Sequence, residues 1–197
     1  MSATLWILLA VGLALVFWAV GAYNRLVRLK NAIANAFGQI DVQLKRRYDL
    51  IPNLVEVARK YLAHEAQTLE AVIAARNQAR SAEQTAAGSP LNAGALGALA
   101  GAEQMLGGAL GRLFAVAEAY PDLKADQNMR ELSEELSSTE NRIGFARQAY
   151  NDHVLEFNDA AAQFPTLIIA RLFNFQTQSM LASTTSEAER QPVKVSF

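Results

Sequence analysis

The chain has 197 residues, a net charge of −1, 51 % hydrophobic residues and no cysteine. This length is enough for one membrane anchor and one domain with a core, and it is short for two domains. The absence of cysteine excludes disulfides and thiolate metal sites, and the nearly neutral charge gives no indication of nucleic-acid binding.

An uninterrupted apolar run covers residues 4–22 and contains no charged side chain. As a helix it would be about 28 Å long, close to the bilayer's hydrocarbon thickness of about 30 Å. Trp6, Trp18 and Tyr23 lie near its two ends, where amphipathic rings prefer the membrane interface. A cleaved signal peptide is the rival interpretation, but no Lys or Arg precedes the run and the best cleavage site is weak. The run therefore predicts a transmembrane helix.

Basic residues follow the apolar run directly. Arg25, Arg28 and Lys30 come first, and residues 23–47 carry a net charge of +5, which leaves −6 for residues 48–197. Because Lys and Arg are retained on the cytoplasmic side, this bias predicts an outside N-terminus and a cytoplasmic domain. The same side chains are also placed to contact anionic lipid headgroups.

Apolar residues recur every three or four positions from residue 26 to residue 44, and again from residue 51, which predicts helix. Pro52 interrupts the pattern because proline lacks a backbone donor and disfavours helix at the residue before it. Two interpretations remain open. The helix either breaks near Asp49, which would cap a new helix, or continues as one kinked rod.

Residues 84–94 are expected to form a loop, followed by a third helix over about 91–119. This helix is unusually rich in glycine, and its glycines include two pairs with four-residue spacing, Gly97/Gly101 and Gly107/Gly111. Such pairs let helix backbones approach closely. We expect close packing within the bundle, with self-association or membrane contact as the alternative.

A turn is expected at residues 120–124, and a long amphipathic helix from about Asp126 to the Phe164–Pro165 pair. A short apolar segment at 167–175 is expected either to form one more helix or to pack on the bundle. The polar tail at 183–197 is expected to be flexible. Its last residues alternate in a strand-like way, which would suit docking onto a partner's sheet edge.

Residues that could carry chemistry are sparse. His64 and His153 lie in no zinc motif, and no phosphate-binding or nucleophile motif occurs. We therefore expect no enzymatic activity, no metal and no cofactor. Polar residues on the predicted helices are expected to act as caps and interhelical hydrogen bonds, or to form a subunit interface. These candidates are Asp41, Asp49 and Asn53 on the first two predicted helices, and Glu140, Asn141, Asn151, Asp152 and Asn158 on the long amphipathic helix.

Several strings together resemble the LemA family, in order along nearly the whole chain. The most specific is Q-I-D-V-Q-L-K-R-R-Y-D-L-I-P-N-L-V at 39–55. It is supported by Y-N-R-L-V-R-L-K-N at 23–31, Y-P-D-L-K-A at 120–125, T-E-N-R-I at 139–143 and A-R-Q-A-Y-N-D at 146–152. The resemblance implies a bacterial membrane protein with one N-terminal span, long antiparallel helices and no established activity or cofactor. It also implies structural roles for the matching Asp41, Arg47, Asp49, Pro52 and Asn53.

The predicted fold is all-α, an N-terminal transmembrane helix followed by an antiparallel bundle of long helices. The predicted division is an anchor at 1–22, a cytoplasmic bundle at 23–182 and a tail at 183–197. The expected function is a self-associating scaffold at the bacterial inner membrane, with the lipid bilayer, further copies and a membrane protein as partners. The alternative is an adaptor or sensor that docks a membrane protease or signalling protein through its bundle or tail.

Overall fold

A computed structural model describes residues 3–181, and within them the chain is all-α without a strand, as predicted. The predicted tail at 183–197, with its strand-like end, lies outside the described residues. The helices are α1 (Ala3–Arg59), α2 (Ala66–Gly88), α3 (Ala93–Ala117), α4 (Pro121–Ala125), α5 (Gln127–Ala162) and α6 (Thr166–Leu172).

The first helix combines the apolar run and the first helix of the bundle. Its 57 residues form one uninterrupted helix, which at 1.5 Å per residue is about 86 Å long. The large apolar side chains of the run are exposed, whereas residues such as Ile33, Phe37 and Leu44 are fully buried in the bundle. The anchor is therefore the first part of a long helix, without a flexible joint at residue 22.

Pro52 lies inside α1 and does not end it. Residue 52 would normally donate to the carbonyl of Tyr48, and proline cannot do so. Arg76 of α2 supplies the missing donor, because its Nε lies 2.9 Å from that carbonyl oxygen. Of the two structures left open by the sequence, the continuous helix is the one observed.

The core forms where α5 and α2 pack on α1, and α3 packs on α2. The α5 helix runs antiparallel to α1. Arg46 of α1 contacts Glu135 near the start of α5, and Phe37 contacts Tyr150 further along it, with ring centroids 6.2 Å apart. The start of α5 thus lies far from the apolar run, and its end lies close to it.

Two predicted connections are shorter or more regular than expected. The predicted loop at 84–94 is wrong in extent, because α2 continues to Gly88 and α3 begins at Ala93, with Asn92 accepting from the amide of Ala95. The predicted turn at 120–124 is the short helix α4. The long helix begins near Asp126 as expected, and Asp126 caps α5 by accepting from the amide of Met129 at 3.0 Å.

The chain returns to the apolar run at its C-terminal end. The predicted short helix is α6, and the Phe173 ring that follows it packs edge-on against Tyr23 with centroids 4.8 Å apart. An extended segment, residues 176–181, then runs back along α5. It ends with Leu181, which is buried.

Candidate functional site

A groove with a cavity volume of about 560 Å³ lies between α3 and α5, above the middle of α1. Its apolar lining includes Leu110 and Phe114 of α3 and Leu136 of α5. Gly107 and Gly111 form part of the α3 wall, where they offer no side chain to fill the space. We call this the α3–α5 groove.

A network of charged side chains closes one end of the α3–α5 groove. Arg47 of α1 is buried, and its Nη1 lies 2.9 Å from Oε2 of Glu103 on α3 and 2.7 Å from Oε2 of Glu140 on α5. Tyr48 donates to the other oxygen of Glu103 at 2.6 Å. Arg147 adds a weaker contact to Glu103 at 3.9 Å. One arginine therefore joins three helices.

The surroundings of Tyr48 keep its hydroxyl protonated. Burial first, and then the negative charge of Glu103, raise the pKa of Tyr48 far above its usual range. The phenol is thus a permanent donor to Glu103. Because the buried carboxylate is satisfied by Tyr48 and Arg47, the network is suited to fixing helix positions rather than to proton transfer.

A second buried acid lies on the interface between α1 and α2. Glu83 is only 1 % exposed, its Oε1 lies 3.7 Å from Nζ of Lys45, and its carboxyl group interacts with that of Asp41. Burial first, and then the neighbouring carboxyl group of Asp41, raise the pKa of Glu83 to about 7, while the pKa of Asp41 is lowered. Glu83 is the group here whose charge changes near neutral pH.

The predicted polar candidates do not come together in one site. Two of them, Arg47 and Glu140, join the groove network. Asp41 binds Lys45 at 2.6 Å, and Asp49 is exposed, 4.0 Å from Nη2 of Arg76. The remaining exposed candidates are Asn53, Asn141 and Asp152.

Asn151 acts as a clamp for the chain after α6. Its amide accepts from the backbone N–H of Leu181 at 2.9 Å and donates to the carbonyl of the same residue at 2.8 Å. Asn158, two helical turns further on, does the same with Gln178 at 2.8 and 3.0 Å. The predicted interhelical role of Asn151 and Asn158 is wrong, because both pair with an extended segment.

The glycines of α3 do not pack as expected. Gly97, Gly101, Gly107 and Gly111 are exposed, and an added Cβ would meet no atom within 4 Å at any of them. The expected close packing of these glycines within the bundle is therefore wrong. Within the described residues their face is open, and the buried face of α3 is made instead by its leucines and Glu103.

Sequence reasoning overlooked the two buried acids, although a signal was present. Glu103 follows Leu96 and Leu99 and precedes Leu106 at the spacing of three and four that marks the buried face. Glu83 continues the same kind of row after Leu69, Val72 and Ala79. An acid at such a register is expected to be buried and paired.

No group of three or more His, Asp or Glu side chains that could hold a metal ion occurs within residues 3–181. His64 is exposed, and His153 lies 3.9 Å from Glu156 on the surface of α5.

Comparison with known proteins identifies the family. The family model described as the LemA family matches residues 36–197, which is most of the chain. The chain belongs to the LemA family. The resemblance expected from the sequence motifs is thereby confirmed.

This LemA-family chain is similar to three curated relatives. It is 26 % identical over 169 residues to magnetosome protein MamQ of Magnetospirillum gryphiswaldense, covering 78 % of this chain and 62 % of that protein. It is 26 % identical over 172 residues to magnetosome protein MamQ 2 of Paramagnetospirillum magneticum, again covering 78 % of this chain and 62 % of that protein. It is 28 % identical over 180 residues to protein LemA of Metamycoplasma hominis, covering 91 % of this chain and 77 % of that protein. The chain thus spans less than two thirds of the length of the magnetosome relatives.

The first helix of this LemA-family protein is long and apolar enough to cross a membrane, and only 6 % of its most apolar stretch is buried. Almost nothing in the described chain covers these side chains. Together with the family, this describes a membrane-associated helical protein.

Proposed function

We propose that this LemA-family protein is a non-enzymatic scaffold at the bacterial inner membrane. One span anchors each copy, with the N-terminus outside and the bundle in the cytoplasm, and the copies associate to organise lipids or partner proteins. The observation that carries the proposal is the exposed glycine face of α3, which consists of Gly97, Gly101, Gly107 and Gly111.

The glycine face is costly for a single copy. Each glycine inside a helix costs about 1 kcal/mol relative to alanine. Within residues 3–181, no neighbouring atom lies close enough to offset that cost. A second helix laid across this face would gain close backbone contact, because no side chain holds it away. Self-association through α3 would therefore recover the cost.

The continuous α1 would connect the association of the bundles rigidly to the arrangement of the spans in the membrane. Because the span and the bundle share one helix of 57 residues, the bundle cannot swing freely about a joint at residue 22. Copies that associate through the glycine face would then hold their spans at a set distance and orientation. This is what a scaffold that organises a membrane requires.

Disulfide cross-linking in membranes tests this proposal, since the natural chain has no cysteine. We expect Gly101→Cys to form cross-linked dimers under a mild oxidant. Gly144→Cys is the matched control, because Gly144 is also an exposed helical glycine with open space around it. Equal cross-linking of both variants would contradict the assignment of the face.

Mass measurement in nanodiscs or detergent gives an independent test. The native protein should be oligomeric, Gly101→Leu should shift it towards monomer, and Gly144→Leu should leave it unchanged. If the native protein is strictly monomeric at micromolar concentration, the scaffold proposal is contradicted.

The α3–α5 groove favours a second candidate function, an adaptor or sensor that docks a membrane protease or signalling protein. Its apolar lining of Leu110, Phe114 and Leu136 suits one row of side chains from a partner helix. Ser137 of α5 also lines the groove, so that Ser137→Trp would fill it. Loss of a captured partner with unchanged self-association would favour the adaptor, and deletion of residues 190–197 tests docking through the tail in the same way.

A further inference from the structure

The end of the bundle nearest the apolar run carries a cluster of exposed apolar side chains. Phe164 is 82 % exposed, Ile168 55 %, Leu172 73 % and Phe173 54 %. Ile168 and Leu172 are one helical turn apart on α6 and share a face. We call these four side chains the α6 surface. An apolar cluster of this kind indicates contact with something other than water.

The opposite face of α6 is held in the bundle. Ile169 and Ala170 are buried in the core, so α6 is amphipathic across its width. The chain that follows is tied to α5 by the amides of Asn158 and Asn151. Because both ends are held, α6 cannot turn its apolar face inward without losing these contacts.

The position of α6 along α1 indicates what covers its outer face. The ring of Phe173 contacts Tyr23, the first residue after the apolar run. Ala22 is buried beside this region, and Ala19, inside the run, is partly buried. Since the run of residues 4–22 matches the thickness of the hydrocarbon layer, α6 lies at the depth where α1 leaves that layer.

Exposed arginines lie at the same level, which they share with the exposed acids Glu156 and Asp159 near the end of α5. Arg25 and Arg28 of α1 and Arg171 of α6 are all exposed. Apolar side chains beside arginines form the pattern of helices that lie in the membrane interface, with apolar groups among the acyl chains and cations at anionic headgroups.

We propose that the α6 surface inserts into the interface of the same bilayer leaflet from which α1 emerges. Ile168, Leu172 and Phe164 enter the acyl-chain boundary, and Arg171 joins Arg25 and Arg28 at anionic headgroups. The bundle is thereby attached to the membrane at two points, which sets its tilt as well as its distance. The inference rests on the anchoring in the proposed function and not on self-association.

Depth-dependent quenching in nanodiscs tests the inference with the full chain. The natural chain has no cysteine, so a single fluorophore can be attached at Leu172→Cys in nanodiscs of phosphatidylcholine and phosphatidylglycerol. A lipid with a nitroxide near the headgroup should remove most of its emission. Phe145→Cys is the matched control, because Phe145 is equally exposed at 73 % but lies on α5 far from the apolar run. Its emission should remain.

A third label separates the possible failures. A fluorophore at Val11→Cys, in the middle of the run, should be quenched by a nitroxide deep in the acyl chains. Quenching at Val11 without quenching at Leu172 overturns the α6 inference alone. Absence of quenching at Val11 overturns both the anchor and the inference. If neither the nitroxide lipid nor aqueous iodide quenches the Leu172 label, a second copy or another protein covers the α6 surface. That result would also overturn the inference.

Discussion

Arg76 on α2 donates from Nε to the carbonyl oxygen of Tyr48 on α1 at 2.9 Å, the acceptor that Pro52 leaves without its usual partner. The bond joins two helices at the one place where α1 lacks an internal hydrogen bond because of proline. It thus removes the penalty of a buried, unsatisfied carbonyl and lets the helix continue from the apolar run into the core.

Replacing Arg76 should therefore destabilise the bundle in a way that depends on Pro52. We expect Arg76→Met to lower the free energy of unfolding by about 1–3 kcal/mol, the cost of an unsatisfied buried acceptor. In a Pro52→Ala background the loss should be smaller, because the alanine backbone N–H restores the helical donor. Urea denaturation of the four proteins of this cycle, followed by circular dichroism in detergent, measures the coupling.

Arg80→Met is the control for this cycle, since Arg80 lies one turn further on the same helix and is exposed. It should change stability little. If Arg76→Met costs the same with and without Pro52, the bond does not compensate for proline.

The groove network predicts very different effects for two neighbouring arginines. Arg47→Ala should cost about 3–5 kcal/mol, because it leaves the buried carboxylate of Glu103 without its main cation. Arg46→Ala removes an exposed contact with Glu135 and should cost about 0–1 kcal/mol. Thermal denaturation of both variants measures the difference, and similar losses would contradict the assigned burial of Arg47.

The raised pKa of Glu83 predicts that stability falls as the pH rises. Its pKa in the folded state is about 7, against an ordinary 4.5, so the folded chain holds a proton that the unfolded chain releases. Between pH 4.5 and 7 the unfolding free energy should therefore decrease with rising pH, by an amount on the order of 1–3 kcal/mol, and level off above pH 7. Urea midpoints across this range measure the slope.

Glu83→Gln should flatten this slope and stabilise the protein at pH 8, because a neutral amide replaces a buried charge. Glu70→Gln, an exposed change on the same helix, should leave the slope as it is. An unaltered pH profile in Glu83→Gln would mean that another group is responsible.

The asparagine clamp predicts a local effect on the segment after α6. Asn158→Ala should speed hydrogen exchange at the amide of Gln178, which loses its acceptor. The amide of Leu181 should keep much of its protection, since Asn151 still accepts from it. Exchange measured by mass spectrometry tests this, with exposed Asn141→Ala as the control; equal exchange in both variants would rule out the clamp.

The spacing of apolar residues along the chain was sufficient to predict that this protein is all-α. The uncharged run at 4–22 and the three- and four-residue spacing of apolar residues act within a few turns, and the long helices that they predict are the ones observed. The same periodicity carries a signal for the burial of Glu103 and Glu83, which our sequence analysis overlooked, and it names no partner for either. Periodicity reports which face of a helix is apolar, because that depends only on neighbours along the chain.

Contacts between distant residues were decided by the tertiary structure alone. Whether α1 breaks at Pro52 depends on Arg76, 24 positions further along the chain, and whether the α3 glycines are covered depends on where α2 and α5 lie. The clamp on the segment after α6 likewise needs α5 and an extended chain side by side. Such pairings follow from how whole helices pack, and the spacing of residues within one helix carries no information about them.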